Sequence, residues 1–314
     1  MKLLLTIKPL ANPEKLKTKY KQPAGKRSGI TENIKIMKRQ ALFFLLMLIP
    51  SALFSQQINV ISFNIRMNTT ADGENAWPNR TEMVTGLLRF HEADLFGLQE
   101  AFYGQITDIQ KALPEYDWIG AGRDNGDKAG EFCPVFFKKS KYVLLDHGNF
   151  WLSENPEKPG LGWDAVCNRL VTWGIFMEIS SEKKFLLLNT HFDHRGVEAR
   201  KNSAILVRNK IEEMTYNKNL PVILTGDFNL TPDEEPVSLI KKFMSDSRDI
   251  SLEHPYGPVG TYNGFKIDAE LNRRIDYIFV HGSIRVLKYA TITDSYDQRF
   301  PSDHLPVFAK LEIK

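Results

Sequence analysis

The chain has 314 residues, with 41 Lys and Arg against 38 Asp and Glu, a formal net charge of +3. Eleven of these bases and two of the acids lie in residues 1–40, and residues 41–55 hold neither, so residues 56–314 keep 30 bases and 36 acids, a net charge of −6. An acidic domain lacks the overall field that draws duplex phosphates. The composition therefore argues against a nonspecific duplex cutter, although a local basic groove stays open.

The first 55 residues contain the parts of a secretory signal. A basic stretch precedes the apolar run 41–49, and a small residue, Ser55, ends the segment. The run is too short to cross a bilayer, which needs about 20 apolar residues. We predict a non-native or disordered basic extension at residues 1–36, a signal peptide at 37–55 and a secreted or periplasmic domain at 56–314. The alternative is a disordered basic arm with a membrane anchor.

Short apolar runs and helical spacing predict the elements that follow. The predicted strands are residues 58–66, 94–98, 135–138, 142–145, 171–179, 184–188, 220–224, 274–280, 284–292 and 306–313. The predicted helices are residues 80–91, 104–113, 195–216 and 235–243. Strands outnumber helices and the helices are interspersed, which favours one α/β (α+β) domain with sheets stacked between helical layers. Cys133 and Cys167 either pair or remain thiols.

Six polar islands lie at the ends of these apolar runs. They are residues 62–64, 98–100, 189–193, 226–229, 274–277 and 302–304. Strand ends at one edge of a sheet converge, so these side chains can share a cleft. Carboxylates, amides and two histidines without cysteine suit a divalent cation and a phosphate. The islands therefore predict metal-dependent phosphoester hydrolysis.

Each island also has a purely structural interpretation. Asp227 and Asn229 alternate with Phe228, which places both on one side, although an Asx turn would look the same. Asp276 lies among apolar residues in a strand, and a buried carboxylate needs a partner. His304 can be that partner, although residues 302–304 would look the same if they formed only a local cap.

The remaining islands hold single candidates. Glu100 is either an ordinary helix N-terminal residue or a hard oxygen ligand. Asn64 is a turn residue or orients the ligands. His191 and Asp193 face the same way, and we expect Glu131 to pair with His191 and keep it protonated. Three further residues are predicted to flank the substrate: Arg66, Trp163 and Phe265.

Taken together and in this order, the islands resemble the endonuclease/exonuclease/phosphatase superfamily, which includes pancreatic-type deoxyribonuclease, apurinic endonucleases and bacterial sphingomyelinases. The resemblance runs from Ile58 to the C-terminus, and its most specific motifs are Gly226-Asp227-Phe228-Asn229 and Ser302-Asp303-His304. It implies a secreted bacterial member with a four-layer α/β sandwich, two mainly antiparallel sheets flanked by helices. It also implies Mg²⁺ as cofactor, with Mn²⁺ as the alternative.

The resemblance further implies roles for individual residues. Glu100, Asn64 and Asp303 belong to the metal site. Asp227 and Asn229 position or activate water, and Asp276 with His304 forms an acid–imidazole pair. His191 binds a phosphate oxygen, and Glu131 is its partner. Apurinic endonucleases have a tyrosine in this role, which argues against transferring residue roles directly from that DNA-repair branch.

The resulting hypothesis is a secreted, Mg²⁺-dependent phosphoesterase, a monomer without a stable protein partner. Its substrate is a phosphorylated small molecule, a lipid head group or a nucleic acid. A nuclease would need a basic cleft. A sphingomyelinase would need an exposed apolar hairpin, for which residues 150–152 are the candidate, although they also fit a strand end. A non-catalytic protein of this fold would have lost a ligand, and none is missing.

Overall fold

The computed structural model of the protein describes residues 57–314. The predicted extension and signal peptide lie outside the described residues. Within residues 57–314, no helix has both the length and the apolar character needed to cross a membrane.

Twelve strands and four α-helices make up the described part of the chain. The strands are β1 (Gln57–Asn64), β2 (Leu95–Gln99), β3 (Tyr116–Ile119), β4 (Val135–Lys138), β5 (Tyr142–Trp151), β6 (Leu170–Glu178), β7 (Lys184–His191), β8 (Val222–Asp227), β9 (Ser245–Asp246), β10 (Asp276–His281), β11 (Ile284–Thr291) and β12 (Val307–Ile313). The helices are α1 (Thr81–Phe90), α2 (Tyr103–Ala112), α3 (Val197–Thr215) and α4 (Glu235–Lys241). Two 3₁₀ turns, Thr70–Asn75 and Trp77–Asn79, precede α1.

The strands form two sheets of six, ordered β11-β12-β1-β2-β4-β3 and β5-β6-β7-β8-β10-β9. Within each sheet one central pair is parallel, β1 with β2 and β7 with β8, and the other pairs are antiparallel. The prediction of two mainly antiparallel sheets is therefore confirmed. It missed the short edge strands β3 and β9.

Four layers result from the way these sheets bury their faces. Between the sheets, Val60 and Phe137 of one meet Leu187 and Ile223 of the other in a single apolar cluster. Helices α1 and α2 cover the outer face of the first sheet, and α3 and α4 cover the outer face of the second. Since each helix buries one apolar stripe on a sheet, the predicted four-layer sandwich is confirmed.

A buried amide joins the two sheets near the edge that carries the polar strand ends. Asn189 Nδ2 donates to the carbonyl oxygens of Leu98 (2.7 Å) and Pro134 (3.0 Å). Its Oδ1 accepts from Gln99 Nε2 (2.7 Å) and Thr225 Oγ1 (3.0 Å). All four hydrogen-bonding positions of the amide are used. Asn189, with Leu98 and Gln99 of the facing island, therefore fixes the position of one sheet on the other.

The close approach of the sheets at Asn189 predicts a large effect for Gly97→Ala. A Cβ at Gly97 would lie 2.5 Å from both Asn189 Cγ and Thr225 Oγ1. We expect the substitution to lower the free energy of unfolding by about 1–3 kcal/mol, because the amide network must shift. Gly104→Ala is the matched control, since nothing lies within 4 Å of its added Cβ. Urea unfolding of both variants measures the difference, and equal midpoints would contradict the prediction.

The apolar stretch 150–152 is part of the core. Phe150, Trp151 and Leu152 are only 3%, 7% and 2% exposed. The first two end strand β5, which extends beyond its predicted end at residue 145. This stretch therefore provides no exposed apolar hairpin for a membrane surface.

Candidate active site

Strand register brings the polar ends to one edge of the molecule. In the first sheet, Asn64 lies opposite Gln99, the residue before Glu100. In the second, His191 lies opposite Asp227, and Asp227 lies opposite Asp276. The carboxyl ends of β1, β2, β7 and β8 therefore meet the amino end of β10.

A cavity of about 560 Å³ opens at this edge. Eight of the predicted site residues line it: Arg66, Glu100, Glu131, His191, Asp227, Asn229, Asp303 and His304. Asn64 and Asp276 lie just beneath, both fully buried and hydrogen-bonded to residues of that lining. A volume of this size accommodates a small molecule.

Asn64 connects the two sheets through a pair of carboxylates. Its Nδ2 donates to Glu100 Oε1 (3.1 Å) and to Asp227 Oδ2 (2.9 Å). Its Oδ1 accepts from the backbone N–H of Arg66 (3.0 Å). The amide oxygen is therefore engaged by the backbone, and Asn64 holds Glu100 and Asp227 at a fixed separation.

The donor set around Glu100 fits a hard divalent cation. Glu100 Oε2 accepts from the backbone N–H of Met67 (3.2 Å) and lies 3.7 Å from Arg66 Nη1, and its oxygens retain free lone pairs. Asp303 lines the same cavity, and burial raises the pKa of its carboxyl group above the ordinary range. A nearby cation would offset that cost of burial. Carboxylate oxygens are the ligands that Mg²⁺ and Mn²⁺ prefer.

Asp276 and His304 form the buried acid–imidazole pair. His304 Nδ1 is 2.9 Å from Asp276 Oδ2, and His304 Nε2 is 3.7 Å from Asp227 Oδ2. Burial alone would lower the pKa of His304, but the charges of Asp276 and Asp227 raise it well above its ordinary value. Burial, with the charge of Asp276, raises the pKa of Asp227 to about 7. The imidazole is thus held as a cation beside a carboxylate that takes up a proton readily.

His191 differs from the prediction in its partner and its charge. Its Nε2 is 3.0 Å from Asn229 Nδ2, which donates to it. Its Nδ1 is 3.9 Å from Glu131 Oε2, beyond hydrogen-bond length, because Arg123 Nη1 binds that oxygen at 2.6 Å. Burial, with the charges of Arg169 and Arg123, holds the pKa of His191 well below its ordinary value. The expectation that Glu131 keeps His191 protonated is wrong for this arrangement.

A family match covers all the site residues described above. A sequence model of the endonuclease/exonuclease/phosphatase family matches residues 61–304, from the middle of β1 to His304. The chain belongs to the endonuclease/exonuclease/phosphatase family. Members of this family hydrolyse phosphoester bonds with divalent metals, and the reaction class predicted from the polar islands is confirmed at that level.

Two solved bacterial structures of the family are similar over their whole length. A family protein from Bacteroides thetaiotaomicron is 37% identical with a TM-score of 0.80, over 82% of this chain and 98% of that chain. The mannosyl-6-phosphatase of the same organism is 38% identical with a TM-score of 0.79, over 81% of this chain and 99% of that chain. The catalytic domain of human nocturnin, 19% identical with a TM-score of 0.64, shares the fold.

Curated relatives are more distant. An uncharacterised protein of Acanthamoeba polyphaga mimivirus is 29% identical over 49% of this chain and 59% of its own length. A CCR4-Not complex 3'-5'-exoribonuclease subunit of Aspergillus clavatus is 22% identical over 83% of this chain and 54% of its own length. The chain spans about half the length of the curated relatives it matches, 48–59% of each.

Asp193 stands apart from the cleft of this family member. Its carboxylate accepts from the backbone N–H groups of Val166 (3.1 Å), Arg195 (2.9 Å) and Gly196 (2.7 Å). It therefore anchors the 164–167 loop to the start of α3 and does not line the cavity. Its predicted orientation beside His191 assumed that β7 continues, but β7 ends at His191.

Two of the three predicted substrate-flanking residues lie elsewhere. Trp163 does not line the cavity, although its loop contributes Val166 and Cys167. Phe265 packs against Arg80, whose guanidinium carbon is 5.2 Å from the ring centroid. Only Arg66 is placed as expected. Cys167 and Cys133 are both free thiols, so the paired alternative is not observed.

Five polar or aromatic side chains of the cleft were not predicted from the sequence: Arg123, Arg169, His194, Tyr262 and Arg273. All five lie outside the helices and strands, and Arg169 directly precedes β6. Loop residues carry no periodic signal, and only the folded backbone brings them to the strand ends.

Proposed function

We propose that the protein is a divalent-metal-dependent phosphomonoesterase that hydrolyses a small phosphorylated molecule, a sugar phosphate above all, by in-line attack of water. One observation carries the proposal. Asn64 ties the candidate metal ligand Glu100 to the candidate base Asp227 at the floor of a single cavity, beside the Asp276–His304 pair. These groups supply a cation ligand, a base for the attacking water and a buried cation beside it, which phosphoryl transfer to water uses.

Asp227 is the group to which we assign the attacking water. It is 1% exposed, at the floor of the cavity, and its pKa of about 7 suits a general base near neutral pH. A water molecule held there approaches phosphorus from below, so the ester oxygen opposite it points to the mouth. The His304 imidazolium stabilises the carboxylate form of Asp227 before attack.

The developing phosphoryl charge needs donors on several sides. We assign Asn229 and His191 to the non-bridging oxygens, an assignment that requires the phosphate to displace the 3.0 Å hydrogen bond from Asn229 Nδ2 to His191 Nε2 and His191 to carry its proton on Nε2. A Mg²⁺ or Mn²⁺ ion held by Glu100 and Asp303 would supply Lewis-acid neutralisation of that charge. Asn64 keeps Glu100 at a fixed distance from Asp227.

A small substrate is supported by size, charge and similarity. The cavity of about 560 Å³ suits a single sugar phosphate. Residues 56–314 carry a net charge of −6, which disfavours long polyanions. The mannosyl-6-phosphatase of Bacteroides thetaiotaomicron is 38% identical over 81% of this chain.

A nuclease is the second candidate. Four arginines line the cavity, Arg66, Arg123, Arg169 and Arg273, and they favour an anionic substrate, although the first three also face carboxylates. The exoribonuclease similarity points the same way, at 22% identity.

Export completes the proposal. The basic, apolar and small-residue pattern of residues 37–55 supports a secreted or periplasmic enzyme. Our proposal further takes the enzyme to act as a monomer without a stable protein partner.

A substrate panel with and without EDTA tests the function. We expect kcat/KM for hexose 6-phosphates to exceed that for bis(p-nitrophenyl) phosphate and single-stranded RNA by at least about tenfold. EDTA should abolish phosphate release, and added Mg²⁺ should restore it. Faster hydrolysis of RNA than of any monoester would favour the nuclease, and activity that survives EDTA would contradict metal dependence.

A further inference from the structure

The mouth of the cavity has an aromatic side chain on its rim. Tyr262 lines the cavity and is 39% exposed. Its ring meets the His304 ring edge-to-face, with centroids 5.2 Å apart and planes at 75°. Tyr262 and His304 are also paired by an isolated antiparallel bridge, so the backbone fixes the ring beside the proposed catalytic imidazole. An exposed aromatic surface is thus held directly above the reaction site.

Arg273 stands beside this ring as a cation without an acidic partner. Its guanidinium carbon is 6.0 Å from the centroid of Tyr262. The other arginines of the cavity face carboxylates: Arg66 binds Asp72, and Arg123 binds Glu131. Arg169 likewise lies 3.9 Å from Glu131 and 3.8 Å from Asp193. Within residues 57–314, the Arg273 side chain makes no ion pair or hydrogen bond, so its donors are free.

We propose that Tyr262 and Arg273 form the subsite that binds the sugar ring of the substrate, an inference that rests on the proposed phosphomonoesterase function. The in-line geometry sends the ester oxygen towards the mouth, where these two side chains lie. The aromatic face packs against the C–H face of a sugar, and the planar guanidinium donates to neighbouring hydroxyl oxygens. The 38% identity to the mannosyl-6-phosphatase of Bacteroides thetaiotaomicron favours a sugar over a nucleobase at this subsite.

The test compares a substrate with a ring against one without. kcat/KM is measured for mannose 6-phosphate and for methyl phosphate, which presents the same phosphoryl group without a sugar. We expect Tyr262→Ala and Arg273→Gln each to lower kcat/KM for mannose 6-phosphate by about 10–100-fold, mainly through KM. Methyl phosphate hydrolysis should change by less than about threefold. Tyr262→Phe should retain most of the activity on the sugar. Tyr216→Ala, an exposed tyrosine outside the cleft, is the control.

Several outcomes would overturn the subsite. Equal losses on both substrates would mean that Tyr262 acts only through His304. No loss on the sugar, or a larger loss on adenosine 5'-monophosphate than on the sugar, would remove the sugar assignment. A wild-type protein inactive on both monoesters would contradict the proposed function itself. Calorimetric binding of mannose 6-phosphate to wild type and Tyr262→Ala would then decide the subsite separately, with equal affinities overturning it and weaker binding by the variant supporting it.

Discussion

Replacing Asp227 with Asn should lower kcat by about 10³–10⁴-fold with little change in KM, because the variant cannot accept a proton from the attacking water. The amide has nearly the same shape and keeps an oxygen for the Asn64 hydrogen bond, which is 2.9 Å long in the wild type. Steady-state phosphate release from a sugar phosphate measures the effect.

The stability of this variant separates catalysis from folding. Asp227 is buried, and the pKa of its carboxyl group is raised to about 7, so burial disfavours its charged form. A neutral amide avoids that desolvation, and we expect the unfolding midpoint to stay at or above the wild-type value. Asp146→Asn, at an exposed position of β5, is the matched control. A wild-type rate in Asp227→Asn would disprove the base assignment.

Replacing Glu100 with Gln should lower the rate at ordinary Mg²⁺ by about 10²–10³-fold, because the site loses the carboxylate charge that holds the cation. The Mg²⁺ concentration for half-maximal activity should rise at least about tenfold. Gln keeps an oxygen for Asn64, so the link to Asp227 survives. Rates across a Mg²⁺ titration measure both quantities.

The control for this substitution is Glu82→Gln, whose side chain is 85% exposed on α1. It removes the same charge at a position outside the cavity, so its titration curve should match that of the wild type. If Glu100→Gln and Glu82→Gln gave the same Mg²⁺ dependence, the cation would not depend on Glu100.

The central site residues were predictable because they belong to strands. Alternation and apolar runs place Asp227 at the end of β8 and Asp276 at the start of β10, and the register sets them opposite each other. Asp276 was marked further by being an acid among apolar neighbours. Local sequence therefore carried enough information for the floor of the cavity.

The rim was not predictable by the same reasoning. Arg123 and Tyr262 lie in segments without periodicity, and hydrogen bonds within their loops position them: the Arg123 backbone N–H donates to Glu131 O (3.0 Å), and the Tyr262 backbone N–H donates to Arg273 O (3.4 Å). The error over Glu131 and His191 has the same origin: Arg123 is close to Glu131 in sequence, but only the folded loop shows that its Nη1 binds the carboxylate at 2.6 Å. Side-chain competition of this kind is settled only in three dimensions.

The most direct test of the account is Mn²⁺ binding followed by electron paramagnetic resonance in wild type and Glu100→Gln. If separate strand ends create a cation site at Glu100, wild type should show saturable binding that weakens at least about tenfold in the variant. Equal affinity in the two proteins, or no saturable binding in wild type, would contradict it.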